Sequence, residues 1–255
     1  MKLRFSYLGS GSRGNAALIE SGDTCVMLDC GFSAKETEKR IRRLKRRPGD
    51  IAAVVITHEH GDHVAGAVRF ARRHDIELWM TPGTCAALRD AHLAKLRLVN
   101  CHETFSIGDL QIEPTPVPHD AREPCQYVFG NGAHRLGILT DTGHISAHML
   151  KVYQGCDALA LECNHAPDML AAGPYPAHLK ERVGCNYGHL SNQQAADMLD
   201  NMDCSSLTQI VGVHLSEKNN EPELARAALA GGLGCEASEV QIADQQDGLD
   251  WRDVG

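Results

Sequence analysis

The 255-residue chain predicts an α/β fold, a sandwich of two sheets with helices outside. Short apolar runs rich in β-branched residues, such as 51–56, 157–161 and 207–213, read as buried strands. Both halves run strands first and helices later, so each half supplies a sheet with its own covering helices. The length suffices for a large core, and the reading is one domain over residues 1–255, with no fixed short repeat.

Taken in order, residues 3–8 alternate and read as the first strand. Gly9-Ser10-Gly11-Ser12-Arg13-Gly14 follows and matches G-x-G-x-x-G, with Asp29 lying 20 residues past Gly9. A dinucleotide fingerprint must open a helix. Here 15–20 and 24–28 read as strands joined at Ser21-Gly22-Asp23, which excludes it. Two readings of the loop stay open. It can be a phosphate cradle of backbone N–H groups with Ser10, Ser12, Arg13 and Asn15, or a tight link between strands. Asp29 closes the third strand and suits a carboxylate that orients a metal ligand. Residues 35–47 carry eight Lys/Arg against Glu36 and Glu38, with Phe32, Ile41 and Leu44 as an apolar stripe. A helix with a solvated basic face is the favoured reading, ahead of a nucleic-acid-facing one.

Run 51–56 leads into Thr57-His58-Glu59-His60-Gly61-Asp62-His63, with three histidines and two acids in seven residues. His58 and His60 share a side in an extended backbone. Asp62 can cap a helix over 63–74, marked by Val64, Ala67, Val68 and Ala71. Imidazole and carboxylate at this spacing suit zinc or a similar divalent ion.

Strand 76–80 precedes Thr81-Pro82, which starts a helix to about Ala91. Residues 96–99, 104–107 and 110–117 read as strands, the last two joined at Gly108-Asp109. His119 follows in a proline-stiffened loop. Strands 125–129 and 135–140 flank Gly130-Asn131-Gly132, and Asp141 follows the second. Ser146 caps a helix to Gln154, stopped by Gly155. Strand 157–161 ends in Glu162-Cys163-Asn164-His165. Stretch 166–188 has no period and reads as a long loop, functional or mobile. Ser191 and Gln194 form a capping box for a helix over 192–202. Strand 207–213 ends at His214. A helix begins at Asn220 or Glu221 and stops at Gly231-Gly232. Residues 239–243 and the tail read as a terminal hairpin.

Hydrophobic residues make up 43% of the chain and its formal net charge is −8, which argues against a generic nucleic-acid-coating protein. No apolar run approaches the roughly 18 residues of a membrane helix. The first residues carry charge but no signal-peptide core. Ten cysteines without a C-x-x-C pair read as free thiols in a reducing cytoplasm. Cys25, Cys30, Cys163 and Cys204 read as small core residues. His74, His92, His134 and His178 read as surface residues.

One pattern recurs: Asp29, His58, His119, Asp141, Glu162 and His214 each stand just after an apolar strand. Strand ends of a packed sheet converge on one edge, so the local string becomes part of a distributed site.

Asp29, His58-x-His60-x-Asp62-His63, His119, Asp141 and His214, in that order, resemble the metallo-β-lactamase fold superfamily. The resemblance implies a four-layer αββα sandwich around two divalent metal ions, with zinc first and manganese or iron as alternatives. It places His58, His60 and His119 on one ion, Asp62, His63 and His214 on the other, and Asp141 between them. Further motifs narrow it: Pro118-His119-Asp120-Ala121-x-x-Pro124, Glu162-x-Asn164-His165, Gly188-His189-Leu190-Ser191-Asn192 and His214-Leu215-Ser216-x-x-Asn219-Asn220. With the opening Gly-Ser-Gly-Ser-x-Gly-Asn, where Arg13 replaces a more usual small residue, these are similar to the WalJ/YycJ (VicX) family. That likeness implies a metal-dependent nuclease, 5′-to-3′ on DNA, with a metal-bridging hydroxide as nucleophile. Glu162 and His189 are similar to the glutamate–histidine pair of the tRNA-processing branch, which makes His189 the candidate general acid beside catalytic Asp62. The competing reading is that His189 helps cap its helix. Asn164, His165, Asn219 and Asn220 either contact substrate or satisfy loop backbone. No large nucleic-acid-clamping insertion fits in this length. The alternative function is hydrolysis of a lactone, thioester or β-lactam on the same centre. A regulatory protein with a vestigial site is a third reading, disfavoured by the intact ligand set.

Overall fold

The computed structural model describes residues 1–88 and 95–255. Among these, the strands in chain order are β1 (Leu3–Gly9), β2 (Ala16–Ser21), β3 (Thr24–Leu28), β4 (Ala53–Val55), β5 (Glu77–Met80), β6 (Leu96–Leu98), β7 (Phe105–Ile107), β8 (Leu110–Pro116), β9 (Cys125–Gly130), β10 (Arg135–Leu139), β11 (Ala158–Glu162), β12 (Gln209–Val213), β13 (Gln241–Ile242) and β14 (Leu249–Val254). The helices are α1 (Ala34–Arg43), α2 (Gly61–Val64), α3 (Ala67–His74), α4 (Pro82–Ala87), α5 (Ala147–Tyr153), α6 (Pro167–Ala172), α7 (Ala177–Gly184), α8 (Asn192–Asp200) and α9 (Pro222–Leu233).

The strands form two sheets, ordered β14-β1-β2-β3-β4-β5-β6 and β13-β12-β11-β10-β9-β8-β7. Each begins as an antiparallel meander and continues as parallel strands: β3 to β6 in the first, β10 to β13 in the second. Alternating residues of β1, Leu3, Phe5 and Tyr7, point between the sheets and meet Tyr127, Phe129 and Val211. The opposite faces are covered by helices. Leu18, Met27 and Val54 pack with Ile41 of α1 and Phe70 of α3. Leu139, Leu159 and Leu161 pack with Tyr153, Met198 and Leu229 from α5, α8 and α9. Three apolar layers between four structural layers give the αββα sandwich. Each fully buried large side chain contributes about 1.5–3 kcal/mol.

Parallel pairing places strand C-termini at one edge. Register aligns Leu28 of β3 with Val55 of β4, so Asp29 stands beside Thr57 and His58. It also aligns Leu139 with Leu161 and Leu161 with Gly212, so Asp141, Glu162 and His214 emerge side by side.

Several expectations need correction. The helix expected over 63–74 is two pieces, because Gly66 N donates to Cys30 O at 2.9 Å and breaks the run. Asp62 does not cap it: His60 is the N-cap of α2, and Asp62 lies in the first turn. Stretch 166–188 contains α6 and α7, whose six and eight residues are too short to show a period. α9 runs through Gly231-Gly232 and ends at left-handed Gly234. A side chain at Gly232 would meet the Ala196 backbone of α8 at 2.6 Å, so that glycine serves helix approach. The terminal hairpin is split, β13 pairing with β12 and β14 with β1. The helix end expected at Ala91 and the surface placement of His92 lie outside the described residues.

The basic stretch is a solvated face in part. Arg40 is buried, stacks 4.0 Å from the centre of the Phe32 ring, and donates to the carbonyls of Leu8, Gln245 and Gln246. Arg46 pairs with buried Glu20. Cys25, Cys30 and Cys163 are core residues, and Cys204 is half-buried against the α8–α9 layer. His134 and His74 are half-buried, paired with Asp157 and Glu38; His178 is exposed. No helix among the described residues is long and apolar enough to cross a membrane.

Candidate metal centre

Three strand-end residues of the site hold left-handed backbones without being glycine: Asp29 at φ 58°, Asp141 at 52° and His214 at 56°. Such conformations cost free energy and persist where surroundings fix them. His214 is held by Ser10, whose Oγ accepts from His214 N at 2.8 Å, and by Asn164, whose Nδ2 donates to His214 O at 3.0 Å.

Four histidines have one ring nitrogen tied back, which turns the other inward. His58 Nδ1 lies 2.9 Å from Thr57 Oγ1, and Thr57 Oγ1 lies 3.0 Å from Asp29 Oδ2. His63 Nδ1 lies 2.8 Å from Asp29 Oδ2, His119 Nδ1 3.0 Å from Gly188 O, and His214 Nδ1 2.9 Å from Glu162 Oε1. These carboxylate and carbonyl partners accept, so each of these three rings carries a hydrogen on Nδ1 and turns Nε2 inward. His60 is reversed: its Nδ1 lies 3.3 Å from His119 Nε2, and its Nε2 is 3.8 Å from Asp120 Oδ1.

The inward atoms form overlapping groups, each with all donors within 4.8 Å of one another: His58, His60 and His119; Asp62, His63 and His214; His58, His63 and Asp141; and Asp141, Glu162, His189 and His214. Asp141 groups with His58 from the first of these, and with His63 and His214 from the second. His58 Nε2 is buried without a hydrogen-bond partner, and buried Asp141 Oδ2 has only His63 Nε2, 3.2 Å away, facing it. Leaving such atoms unsatisfied is costly, and a divalent cation is what an imidazole lone pair and a carboxylate oxygen both accept. The donor set therefore fits divalent ions.

Protons balance the cluster in the metal-free protein. Burial opposes charging His63 and His214, but Asp141 above all, with Asp62 and a further carboxylate each, outweighs it. His63 rises well above the usual imidazole range and His214 is pushed up to about 10. Asp62 and Asp141, despite burial, fall well below the carboxylate range because these cations face them. Burial keeps His58 neutral.

Glu162 is fully buried and joins two functions. Its Oε1 lies 2.9 Å from both His189 Nδ1 and His214 Nδ1, and its Oε2 accepts from Leu190 N at 3.1 Å and Thr142 N at 3.2 Å. Burial raises its pKa, but His189 and these hydrogen bonds outweigh that and hold it at about 2. α8 is capped by Ser191, whose Oγ accepts from Gln194 N, so the His189 ring is spent on Glu162 rather than on the helix.

The glycine loop uses its N–H groups internally. Gly11 N donates to Asn15 Oδ1, Arg13 N to Gln245 Oε1 and Gly14 N to Gly11 O. That favours the tight-link reading. Asn15 meets the centre: its N donates to Asp62 O at 2.7 Å, and its Nδ2 lies 3.3 Å from Asp62 Oδ2. Gly31 permits this crossing, since a Cβ there would lie 1.7 Å from Asp62 O. Ser12 and Asn164 line the cleft. His165, Asn219 and Asn220 are buried behind it; Asn220 Nδ2 donates to Cys163 O at 2.7 Å, as the backbone-satisfying alternative had it. Burial lowers His165 to about 4.

The ligand cluster opens on a cleft of about 330 Å³. The sequence does not single out Asp120, Tyr175, Leu179, Arg182 or Val183, all of which line the cleft. Asp120 follows His119 in its motif, a signal that went unread. Arg182, which pairs with Asp120 Oδ2 at 2.6 Å, carried no signal because 166–188 was read as loop.

A family model described as a β-lactamase superfamily domain matches residues 24–214. With this sandwich and donor set, the chain belongs to the metallo-β-lactamase superfamily and is a metal-dependent hydrolase. It is 34% identical over 236 residues to a Bacillus anthracis protein named exodeoxyribonuclease YycJ, covering 90% of this chain and 89% of the relative. It is 33% identical over 255 residues to exodeoxyribonuclease WalJ of Streptococcus pneumoniae serotype 2, covering 98% and 92%. Within the superfamily, the chain belongs to the WalJ/YycJ family. The fold is similar to that of YhfI, a metallo-β-lactamase fold protein of Bacillus subtilis, with a TM-score of 0.77 at 14% identity, covering 98% and 99% of the two chains.

Proposed function

We propose that the protein is a dinuclear metal-dependent phosphodiesterase, a 5′-to-3′ exonuclease acting on DNA. The observation that carries this reading is the His189–Glu162 pair beside the ligand cluster, at 2.9 Å. A sugar oxygen leaving phosphorus needs a proton, and a histidine at the cleft wall supplies one. The two relatives named exodeoxyribonucleases support the choice of DNA.

In this reading His58, His60 and His119 would hold one ion and Asp62, His63 and His214 the other, with Asp141 serving both. When bound, the ions lower the pKa of water and neutralise charge on the phosphoryl oxygens. Zinc is proposed first, with manganese and iron as alternatives. The surrounding residues position the ligands: Asp29 and Thr57 for His58 and His63, Glu162 and Ser10 for His214, Asn15 for Asp62. Glu162 accepts a hydrogen bond from His189 Nδ1–H and so turns Nε2 to the cleft, where the imidazolium form gives its Nε2 proton to the departing oxygen and is left as neutral imidazole.

The test is turnover of single-stranded DNA and of bis(p-nitrophenyl) phosphate by protein loaded with zinc or manganese. Asp62→Ala should abolish both. His189→Ala should lose more on DNA, whose leaving group is poor, than on a p-nitrophenyl ester. Equal losses remove His189 from the role of acid. A metal-loaded protein that cuts no nucleic acid but opens a lactone or thioester would replace this reading with the small-molecule one.

A further inference from the structure

The cleft that the metal ligands line is also walled by Tyr175, Leu179, Arg182 and Val183, on and just before α7. α7 has no buried residue, although Leu179 and Val183 are apolar and line the cavity. Lys218 Nζ stands 5.7 Å from the centre of the Tyr175 ring. Arg182 Nε donates to Asp120 Oδ2 at 2.6 Å, and Asp120 Oδ1 lies 3.5 Å from His119 Nε2. One carboxylate therefore separates this guanidinium from the ligand cluster. The chain carries a formal net charge of −8, and Arg40, Arg43 and Arg46 of the basic stretch are spent on backbone carbonyls and Glu20. Arg182 is a cation that lines the cleft itself, and Lys218 stands over the ring of Tyr175, which also lines it.

We propose that this wall is the subsite for the end of a single DNA strand, Tyr175 with Leu179 and Val183 holding the terminal base and Arg182 holding a phosphate in exchange for Asp120. The proposal rests on the nuclease reading and adds the residues that select the substrate. Stacking on an aromatic ring is tolerant of sequence because every base has a π-face. The pairing with Asp120 uses one of five guanidinium N–H donors, and the planar fork fits a phosphate through two. An exposed ion pair is weak, and the Arg182 side chain is 58% exposed, so a phosphate bound beside the metal ligands can take Asp120's place. The cavity of about 330 Å³ lies at the small end of ligand pockets, which suits one nucleotide unit and not a duplex.

The experiment is fluorescence anisotropy of a short, 5′-phosphorylated, phosphorothioate-linked oligodeoxynucleotide with manganese-loaded protein, repeated across salt concentrations. Arg182→Gln should weaken binding about tenfold and reduce the slope of log K against log salt by about 0.7, the loss of one single-strand phosphate contact. Arg182→Lys should keep the slope and lose part of the affinity. Tyr175→Ala should weaken binding about tenfold with the slope unchanged, and Tyr175→Phe should bind as wild type. If wild type binds and cuts DNA while Arg182→Gln keeps its affinity and slope, or Tyr175→Phe loses as much as Tyr175→Ala, the subsite is wrong and the nuclease reading stands. If wild type binds no oligonucleotide, the DNA reading falls, and the subsite with it.

Discussion

Replacing Glu162 by glutamine removes a charge and an acceptor while leaving shape nearly unchanged. Both carboxylate oxygens are committed: Oε1 to His189 Nδ1 and His214 Nδ1, and Oε2 to Leu190 N and Thr142 N. An amide offers one acceptor oxygen, so one pair of donors must face an NH₂ group. Turned towards the histidines, it forfeits two hydrogen bonds to a buried charge; turned towards the backbone, it strands two buried N–H groups. At about 1.5–3 kcal/mol for each charged bond or stranded donor, either orientation costs roughly 3 kcal/mol or more. Part of that falls on His214, so affinity for the ion it faces should drop about 10–100-fold. Part falls on His189, so turnover at saturating metal should drop about 10²–10⁴-fold on DNA. Competition with a chromophoric chelator gives the first quantity, and single-turnover cleavage gives the second. A Glu162→Gln protein that binds both ions as wild type and cleaves DNA at full rate would refute the reasoning.

Other outcomes follow from the same geometry. His63 and His214 hold protons at pH 7 in the metal-free protein because their pKa values are raised, so loading two ions should release about two protons, read by calorimetry in buffers of different ionisation enthalpy; no buffer dependence would contradict it. Gly31→Ala drives a methyl group into Asp62 O, 1.7 Å away, and should lower both thermal stability and metal content; a variant with wild-type metal content would be unexpected. Glu20 is buried, and although burial opposes it, Arg46 and Arg4 hold its pKa below 4.5. A carboxylate lowered on folding stabilises above its unfolded value and loses that contribution as pH falls through the folded one. Glu20→Gln should therefore cost about 1 kcal/mol at pH 7 and depend less on pH below 4.5 than wild type does, by urea titration.

Much of the site was legible because its residues come straight after buried strands. The apolar runs before Asp29, His58, Asp141, Glu162 and His214 carry a strong signal, and parallel pairing turns sequence-distant strand ends into neighbours. The left-handed backbones of Asp29, Asp141 and His214 leave no such trace, since they are imposed by partners such as Ser10 and Asn164 from other segments. Asp62 was read as a cap because aspartate favours that position, but the chain stays extended through His60 and turns at Gly61, which releases the carboxylate to the cluster. α6 and α7 leave no apolar period in the sequence, because helices of six and eight residues that bury one side chain between them, Leu170, need none. The tail looked like a hairpin, and Asp244 does pair with Gly248, yet its two arms complete the edges of different sheets. Asp120 and Arg182 stayed hidden for a related reason, because an ion pair across 62 residues has no local pattern.

The central claim is that these strand ends assemble a centre for two metal ions. Anomalous diffraction from metal-loaded crystals, recorded on either side of the metal's absorption edge, tests it directly. Two peaks are expected, one bounded by His58 Nε2, His60 Nδ1 and His119 Nε2, the other by His63 Nε2, His214 Nε2 and Asp62, with Asp141 between them. A single peak, or an ion held by other side chains, would contradict it.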